Sequence, residues 1–340
     1  MAGLGLRAVA RALLTLAIVA TVLGAAAQAG TAAPGVKPLI TGVVDRNGPP
    51  PPSRDHVVDA YVLQVTWSQL QPSRAALRHR VLDRALRVAK RTGARVKLRV
   101  LAGVHAPGWA KHLGGPPVRM RDPHDGSRGT VPRFWTRGFG TAYADLQRRL
   151  AHRYDRNRRL AEVVISRCTT FYAEPFIRQT ADLASRRALR RAGYTAARDR
   201  TCHRRQVTAH RVWRRTRSGL ALNPAQLVTA GGGGTVDTGF TIAMMRHCRQ
   251  SLGHRCVLEN NSIRSPIASL GDEYRRMYAA MARISPALAF QTATAERMGS
   301  CPKTLAWAED RGASYVEIPW NADEAGCTTQ VLADFARRVG

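Results

Sequence analysis

Short β-favouring runs alternate with longer amphipathic segments from residue 38 to the C-terminus. This alternation constrains the fold more than any other feature of the sequence. The runs are rich in Val, Ile, Leu and aromatic residues. They lie at 38–45, 60–67, 94–103, 162–171, 219–224, 255–261, 287–294 and 314–319. Such alternation is typical of a parallel sheet with crossover helices. Eight units without an obvious second domain match a (β/α)8 barrel, an α/β fold that takes ~250 residues.

The other common α/β architecture is a doubly wound open sheet, which usually carries a glycine-rich phosphate-binding turn after its first strand. Here the first run ends in Asp45-Arg-Asn-Gly-Pro, which is not that fingerprint. The glycine run at 231–234 lacks the Lys and Ser/Thr of a P-loop, so we interpret it as a flexible loop. A long Gly- and Pro-rich loop at 104–133 follows the third run, and loops of that length are usually functional.

The N-terminus has the layout of a secretory signal peptide. Arg7 and Arg11 precede an apolar run at 12–27, and the small residues Ala27 and Ala29 suit a cleavage site. A retained membrane anchor is the alternative, but the run is short and alanine-rich beside the ~20 strongly apolar residues that a spanning helix needs. We therefore predict a Sec-type signal peptide at 1–29, a linker at 30–37 and one barrel domain at 38–340. The predicted location is secreted or extracytoplasmic.

Six cysteines follow the predicted cleavage site, and an even number in an exported chain indicates disulfide bonds. Six cysteines allow 15 pairings. Nearness in sequence favours Cys248–Cys256 and Cys301–Cys327, which leaves Cys168–Cys202. There is no C-x-x-C and no His/Cys cluster with zinc spacing, so we predict no metal site and no cofactor.

The formal net charge is +30, from 53 Lys and Arg against 23 Asp and Glu. A charge this large suggests an anionic partner. Nearly all of it is arginine, spread along amphipathic segments such as 74–91 and 148–159, which is typical of solvated helix faces. No DNA-binding motif accompanies it, so we expect no nucleic-acid partner. The charge does allow electrostatic adhesion to anionic envelope polymers.

Three carboxylates stand where the predicted strands end. Glu174 follows the fourth run, Glu259 lies in the sixth and Glu317 in the eighth. The active site of a (β/α)8 barrel lies at the C-terminal ends of its strands. Glycosidic bond cleavage needs two carboxyl groups that flank the bond, so these three are the candidate catalytic residues. The alternative for one or two of them is an ion pair with a nearby arginine.

Aromatic and polar side chains are predicted at the same rim. Aromatic faces pack against sugar C–H groups, and amides bind sugar hydroxyls. The candidate substrate-binding residues are Trp67, His105, Trp109, Tyr172, Asn223, Asn260, Gln291 and Trp320. Each could instead be ordinary rim packing, and their coincidence at strand ends is the evidence. We predict an oligo- or polysaccharide substrate and a monomeric protein.

The segment from Tyr172 to Pro175, Tyr-Ala-Glu-Pro, resembles the Asn-Glu-Pro segment after the fourth strand of a large clan of retaining (β/α)8 glycoside hydrolases. That clan includes β-galactosidases, cellulases and mannanases. The resemblance implies the same barrel, a glycosidase activity and a general acid/base role for Glu174. The motif itself is short, whereas the similarity of layout covers most of residues 38–340.

Two positions depart from the clan's pattern. Ala173 stands where the clan has an Asn that binds the sugar 2-hydroxyl, and Gln291 stands on the seventh strand where the clan has its nucleophile. Glu296, just beyond, is a weaker candidate. The second carboxylate is then Glu259 or Glu317, or the protein is inactive.

Three hypotheses follow. The first is a secreted glycoside hydrolase with Glu174 as acid/base, Glu259 as nucleophile or base, and Glu317 as substrate binder or alternate partner. The second is a catalytically inactive carbohydrate-binding barrel. The third is a basic envelope-associated binding protein.

Overall fold

The computed structural model describes residues 35–284 and 287–340, so the predicted signal peptide at 1–29 lies outside the described residues. Strands and helices alternate through this part of the chain. The strands are β1 (Gly42–Asp45), β2 (Val58–Thr66), β3 (Arg95–Leu101), β4 (Val118–Arg121), β5 (Arg128–Val131), β6 (Leu160–Val164), β7 (Arg217–Leu222), β8 (Ala225–Val228), β9 (Gly234–Asp237), β10 (Cys256–Ile263), β11 (Leu288–Thr292) and β12 (Ala313–Ile318).

Eight of these strands close into a barrel in the order β1-β12-β11-β10-β7-β6-β3-β2. Every neighbouring pair in the barrel is parallel. Each barrel strand coincides with one of the eight β-favouring runs, so the predicted (β/α)8 fold is confirmed. Between β1 and β2, residues 46–57 form turns and no helix.

Amphipathic helices cover the outside of the barrel. They are α1 (Trp67–Leu70), α2 (Arg80–Thr92), α3 (Gly108–Lys111), α4 (Arg137–Tyr154), α5 (Leu183–Arg191), α6 (Ala196–Ala209), α7 (Thr238–Leu252), α8 (Asp272–Ile284), α9 (Ala295–Met298), α10 (Cys301–Asp310) and α11 (Thr329–Val339). Local chemistry sets their ends. Asp237 caps α7 by accepting a hydrogen bond from the N–H of Phe240, and Gly93 ends α2 with a φ of 78°.

The fourth run is where the predicted and observed bounds differ most. We predicted a strand at 162–171, whereas β6 ends at Val164. Beyond it, hydroxyl groups bond backbone carbonyls: Ser166 donates to Val100 and Thr169 donates to Ser166. The bond from Thr169 is local, and local bonds of this kind compete with a sheet ladder. Glu174 therefore lies on a loop well past the strand rather than at its end.

Two hairpins replace predicted loops. Within 104–133, β4 and β5 pair antiparallel, and residues 231–234 lie at the turn between β8 and β9. The turn is closed by backbone bonds from Thr229 to Gly233 and from Gly232 to Thr229. Both hairpins lie in segments that follow the C-terminal ends of barrel strands, so they belong to the side of the barrel where a site is expected.

The apolar core lies mainly between the strands and the helices, because the strands alternate their side chains between two faces. On β3, Val96 and Leu98 pack outward in the same cluster as Leu86 of α2. The intervening Lys97 and Arg99 point into the barrel. The barrel interior of this chain is therefore partly ionic.

Three disulfides join Cys168 to Cys202, Cys248 to Cys256 and Cys301 to Cys327, which confirms the pairing that nearness favoured. The first one ties the loop after β6 to α6, so it anchors the segment that carries Glu174. Across the described residues, no helix combines the length and the hydropathy needed to cross a membrane.

Candidate active site

One buried ammonium gathers three carboxylates inside the barrel. Nζ of Lys97 lies 3.2 Å from Oε1 of Glu162, 2.5 Å from Oε2 of Glu259 and 2.7 Å from Oε1 of Glu317. It also donates a 2.8 Å hydrogen bond to the hydroxyl of Tyr315. These side chains come from β3, β6, β10 and β12, so the cluster crosses the barrel. Two of the three predicted catalytic carboxylates, Glu259 and Glu317, are thus held by one cation.

A second cation fixes the charge of Glu317. Nη2 of Arg99 lies 2.9 Å and 2.6 Å from the two carboxylate oxygens of Glu317. Burial opposes ionisation, but Arg99 and Lys97 outweigh it and lower the pKa of Glu317 to about 2. Glu317 is therefore an ionised carboxylate throughout the physiological pH range, near the C-terminal end of β12.

Glu259 has the opposite electrostatic environment. Burial raises its pKa well above the ordinary value, Lys97 opposes this, and Glu162 and Glu317 add to the rise. Among the described residues, Oε1 of Glu259 and Oε2 of Glu162 accept no hydrogen bond. The neighbouring carboxyl group of Glu162 disfavours the charged form of Glu259. Ionisation of Glu259 is therefore less favourable than that of Glu317.

The space for this carboxyl pair comes from a glycine. A Cβ atom at Gly219 on β7 would overlap Oε1 of Glu259 and lie 2.7 Å from Oε1 of Glu162. The wall of the barrel is therefore open at this position only because residue 219 has no side chain. The glycine and the two glutamates form one packing unit.

Glu174 lies on the loop after β6, at the C-terminal end of the barrel strands, which we call the mouth of the barrel. Its side chain is only partly buried. Nδ2 of Asn261 donates a 2.7 Å hydrogen bond to its Oε1. Asn261 follows Glu259 by two residues on β10, so both side chains point to the same side of the strand. Burial lowers the pKa of Arg99, but the charges of Glu317, Glu259 and, to a smaller extent, Glu174 raise it. Glu174, Arg99 and Glu317 consequently form a connected electrostatic group.

Gln291 completes this group from β11. In the amide orientation that satisfies both neighbours, it donates to Oε2 of Glu317 at 3.0 Å and accepts from Nη1 of Arg46 at 3.1 Å. Arg46 also donates to the carbonyl of Thr292. Gln291 therefore binds the ionised Glu317.

Two of the predicted sugar-binding aromatics are exposed. Trp320, which follows β12, is 65% exposed, and Tyr172, two residues before Glu174, is 36% exposed. Burial and a hydrogen bond to the Asp122 carboxylate raise the pKa of the Tyr172 phenol, so it remains a neutral donor. An exposed ring beside a polar site is the geometry that sugar packing requires.

The predicted asparagines lie behind the mouth, toward α8. Asn260 is fully buried, donates to the carbonyl of Leu222 at 2.6 Å and accepts from the hydroxyl of Tyr278 at 2.7 Å. Asn223 accepts a 3.1 Å hydrogen bond from the hydroxyl of Tyr274. Their amide groups are therefore engaged with protein groups.

The remaining predicted binders lie on the side of β2 and β3. Trp67 is fully buried, 5.3 Å from the ring of Phe139, and packs edge-on against Trp109 at 5.9 Å. His105 is half-buried, and burial followed by the charge of Lys111 lowers its pKa. These three are not brought into contact with Glu174 or Glu317 by any described interaction.

Sequence reasoning missed the residues that organise the cluster. They are Arg46, Lys97, Arg99, Glu162, Gly219, Asn261 and Tyr315. The signal was present in β3, whose alternating Val and Leu leave three cations, Arg95, Lys97 and Arg99, on the opposite face. Within the described residues, no three His, Cys, Asp or Glu side chains are grouped to hold a metal ion.

No protein-family model matches this chain, and no curated protein matches its sequence. Among solved structures, XacCel5A superposes with a TM-score of 0.51 at 14% identity, over 89% of this chain and 100% of that one. Endoglycoceramidase II from Rhodococcus sp. gives 0.49 at 15% identity, over 84% of this chain and 73% of the other. A tri-modular GH5 endo-β-1,4-glucanase from Bacillus licheniformis gives 0.49 at 11% identity, over 88% and 60%. At these identities the likeness establishes the barrel fold alone.

Proposed function

We propose that the protein is a secreted glycoside hydrolase in which Glu174 is the general acid and Glu317 is the ionised carboxylate partner. The observation that carries this proposal is their shared placement. Glu174 is accessible and oriented by Asn261, while Arg99 holds Glu317 ionised and interacts with the charge of Glu174. The three disulfides support export, because such bonds persist in oxidising compartments.

The two carboxyl groups would have different tasks. Glu174 donates a proton to the glycosidic oxygen as its bond to the anomeric carbon breaks. The negative charge of Glu317 stabilises the positive charge that develops on the sugar ring. Water supplies the hydroxyl of the new reducing end, and the second proton of that water restores Glu174. The anomeric configuration of the first product, read by NMR, reports the separation of the two groups.

Glu259, our sequence-based choice of nucleophile or base, fits a supporting role better. It is 2% exposed and bonded to Lys97, and burial raises its pKa. The proposed sugar platform is the pair of exposed rings, Trp320 and Tyr172.

A catalytically inactive carbohydrate-binding barrel is the second candidate. The observation that favours it is Gln291, an amide on the seventh barrel strand where the clan carries its nucleophile. The engagement of both Glu317 oxygens by cations points the same way.

Hydrolysis of a panel of aryl glycosides and polysaccharides, with Glu174→Gln, Glu317→Gln and Glu259→Gln alongside, tests the proposal. We expect Glu174→Gln to lose roughly 10²- to 10⁴-fold in kcat, the usual contribution of a general acid, while sugar binding persists. The matched control is Glu309→Gln, because Glu309 pairs with Arg338 on the outer helices. Sugar binding by the wild type without turnover would establish the inactive barrel instead.

A further inference from the structure

A groove of about 790 Å³ runs between the β4–β5 hairpin and α5. Four arginines line it: Arg119, Arg121, Arg128 and Arg191. Between them are short or flexible side chains, among them Ala184 and Ala188 of α5, which leave the groove open. Its lining contains no aromatic residue.

Three of the four guanidinium groups lack a counter-charge among the described residues. Within residues 35–284 and 287–340, the side chains of Arg119, Arg128 and Arg191 form no hydrogen bond or ion pair. Asp182 is the one carboxylate in the lining, and it already accepts the N-cap bond of Ser185 while interacting with Arg121. A positive excess therefore remains in the groove.

The hairpin places two of these cations directly opposite each other. Arg121 and Arg128 are cross-strand partners, and Arg119 lies two residues away on the same exposed face of β4. Like charges in directly opposite positions destabilise a strand pair. A ligand that supplied negative charge here would remove that repulsion, which distinguishes this groove from arginines scattered over helix faces.

The groove adjoins the proposed active site. Gly129 of β5 packs closely against Val104 and the ring of Phe171. Just after β4, Asp122 accepts a hydrogen bond from Gln179 and interacts with the phenol of Tyr172. Tyr172 in turn lies close enough to Glu174 for the charge of Glu174 to raise the pKa of the phenol. One loop segment thus forms a border of both the groove and the mouth.

We propose that the groove binds the acidic groups of a polysaccharide whose chain continues from the mouth. This inference rests on the proposed function, and it names the substrate class as an acidic glycan. The planar guanidinium group of arginine can donate two parallel hydrogen bonds to the oxygens of a carboxylate or a sulfate. A groove lined without aromatic rings offers no stacking surface for nucleobases, which favours a glycan over single-stranded nucleic acid.

The test compares two triple variants of equal charge in a Glu174→Gln background. The groove variant carries Arg119→Gln, Arg128→Gln and Arg191→Gln. The control carries Arg84→Gln, Arg87→Gln and Arg91→Gln, which remove three exposed arginines from α2. Binding to polygalacturonate, dextran sulfate, neutral dextran and an oligo-dT 20-mer is measured at low and moderate salt.

We expect the groove variant to bind polygalacturonate or dextran sulfate roughly tenfold more weakly than the control variant, since each exposed pair contributes a modest free energy. A preference for one polymer assigns the anion as carboxylate or sulfate. Equal losses in both variants would show general attraction by net charge and overturn the proposal. Tighter binding of the oligonucleotide, or no binding of either acidic polymer, would overturn it too.

The catalytically competent forms separate this inference from the proposed function. If the inference holds, the groove variant raises KM for the acidic substrate and leaves the hydrolysis of a small aryl glycoside unchanged. Turnover of neutral glycans alone, with no effect of the groove variant, would contradict the acidic substrate class and still support glycoside hydrolase activity. Binding of an acidic glycan that depends on the groove, without any turnover, would support the groove as a binding site and contradict glycoside hydrolase activity.

Discussion

Gly219 and Glu259 face each other inside the barrel, and a Cβ atom on Gly219 would overlap a carboxylate oxygen of Glu259. Gly219→Ala should therefore displace Glu259 from Lys97. Overpacking a core costs about 1–3 kcal/mol, and disturbing a buried ion pair adds to that, so we expect a loss of about 2–4 kcal/mol in the free energy of unfolding. Urea denaturation measures it. The control is Gly231→Ala, where the added methyl group meets open space.

Removing the ammonium should be more damaging than removing any one carboxylate. Lys97→Met leaves Glu162, Glu259 and Glu317 without their shared cation, and breaking a buried pair in this way costs about 3–5 kcal/mol. Without the cation the pKa values of Glu259 and Glu317 rise relative to the wild type, so the deficit in stability grows as pH rises through the range in which they ionise. The deficit relative to the wild type should be smaller at pH 4 than at pH 8. Equal deficits would show that charge is not the cause.

Glu317 should make the wild type acid-sensitive in a defined window. Its pKa falls from 4.5 to about 2 on folding. A lowered pKa contributes stability above the unfolded value, and this contribution is lost as pH falls from about 4.5 toward 2. Glu317→Gln should flatten the stability profile over that window. Glu309→Gln, on the outer surface, should keep the wild-type slope.

The disulfides should contribute differently to the free energy of unfolding, according to the number of residues that each one encloses. Cys168–Cys202 spans 34 residues and Cys248–Cys256 spans 8. Loop-closure entropy gives about 4 kcal/mol for the first and about 2–3 kcal/mol for the second. Paired Cys→Ala variants, compared by denaturation, test this order. The first pair should also lower activity, since it anchors the loop of Glu174, and a larger effect of the second pair would contradict the reasoning.

Eight strands were predictable because hydrophobic runs of barrel strands are local features, and the disulfides followed from nearness in sequence. The role of Lys97 was not predictable in that way. Its contact with Glu259 joins residues 162 positions apart, and in the sequence Lys97 is one basic residue among many. Only the closed barrel shows that β3 turns its charged face inward.

The site was predictable in part for the same reason. Glu259 and Glu317 were found because they stand on strands, but their burial and opposite pKa shifts depend on residues from other strands. Glu174 was expected at a strand end and lies on a loop, because beyond Val164 the hydroxyl of Thr169 bonds back to the carbonyl of Ser166 in place of a sheet ladder. The substrate-binding role of Trp67 remains a prediction, and its ring is enclosed by the aromatic core.

The charged interior also makes each half of the barrel depend on the other. The half from β1 to β6 contributes Lys97, Arg99 and Glu162, whereas the half from β7 to β12 contributes Glu259 and Glu317. Neither half can neutralise its own buried charges, so we expect fragments cut between α6 and β7 to fold together but not separately. Circular dichroism of the fragments, alone and mixed, would show it. The two halves of this barrel therefore differ in buried charge and complement each other.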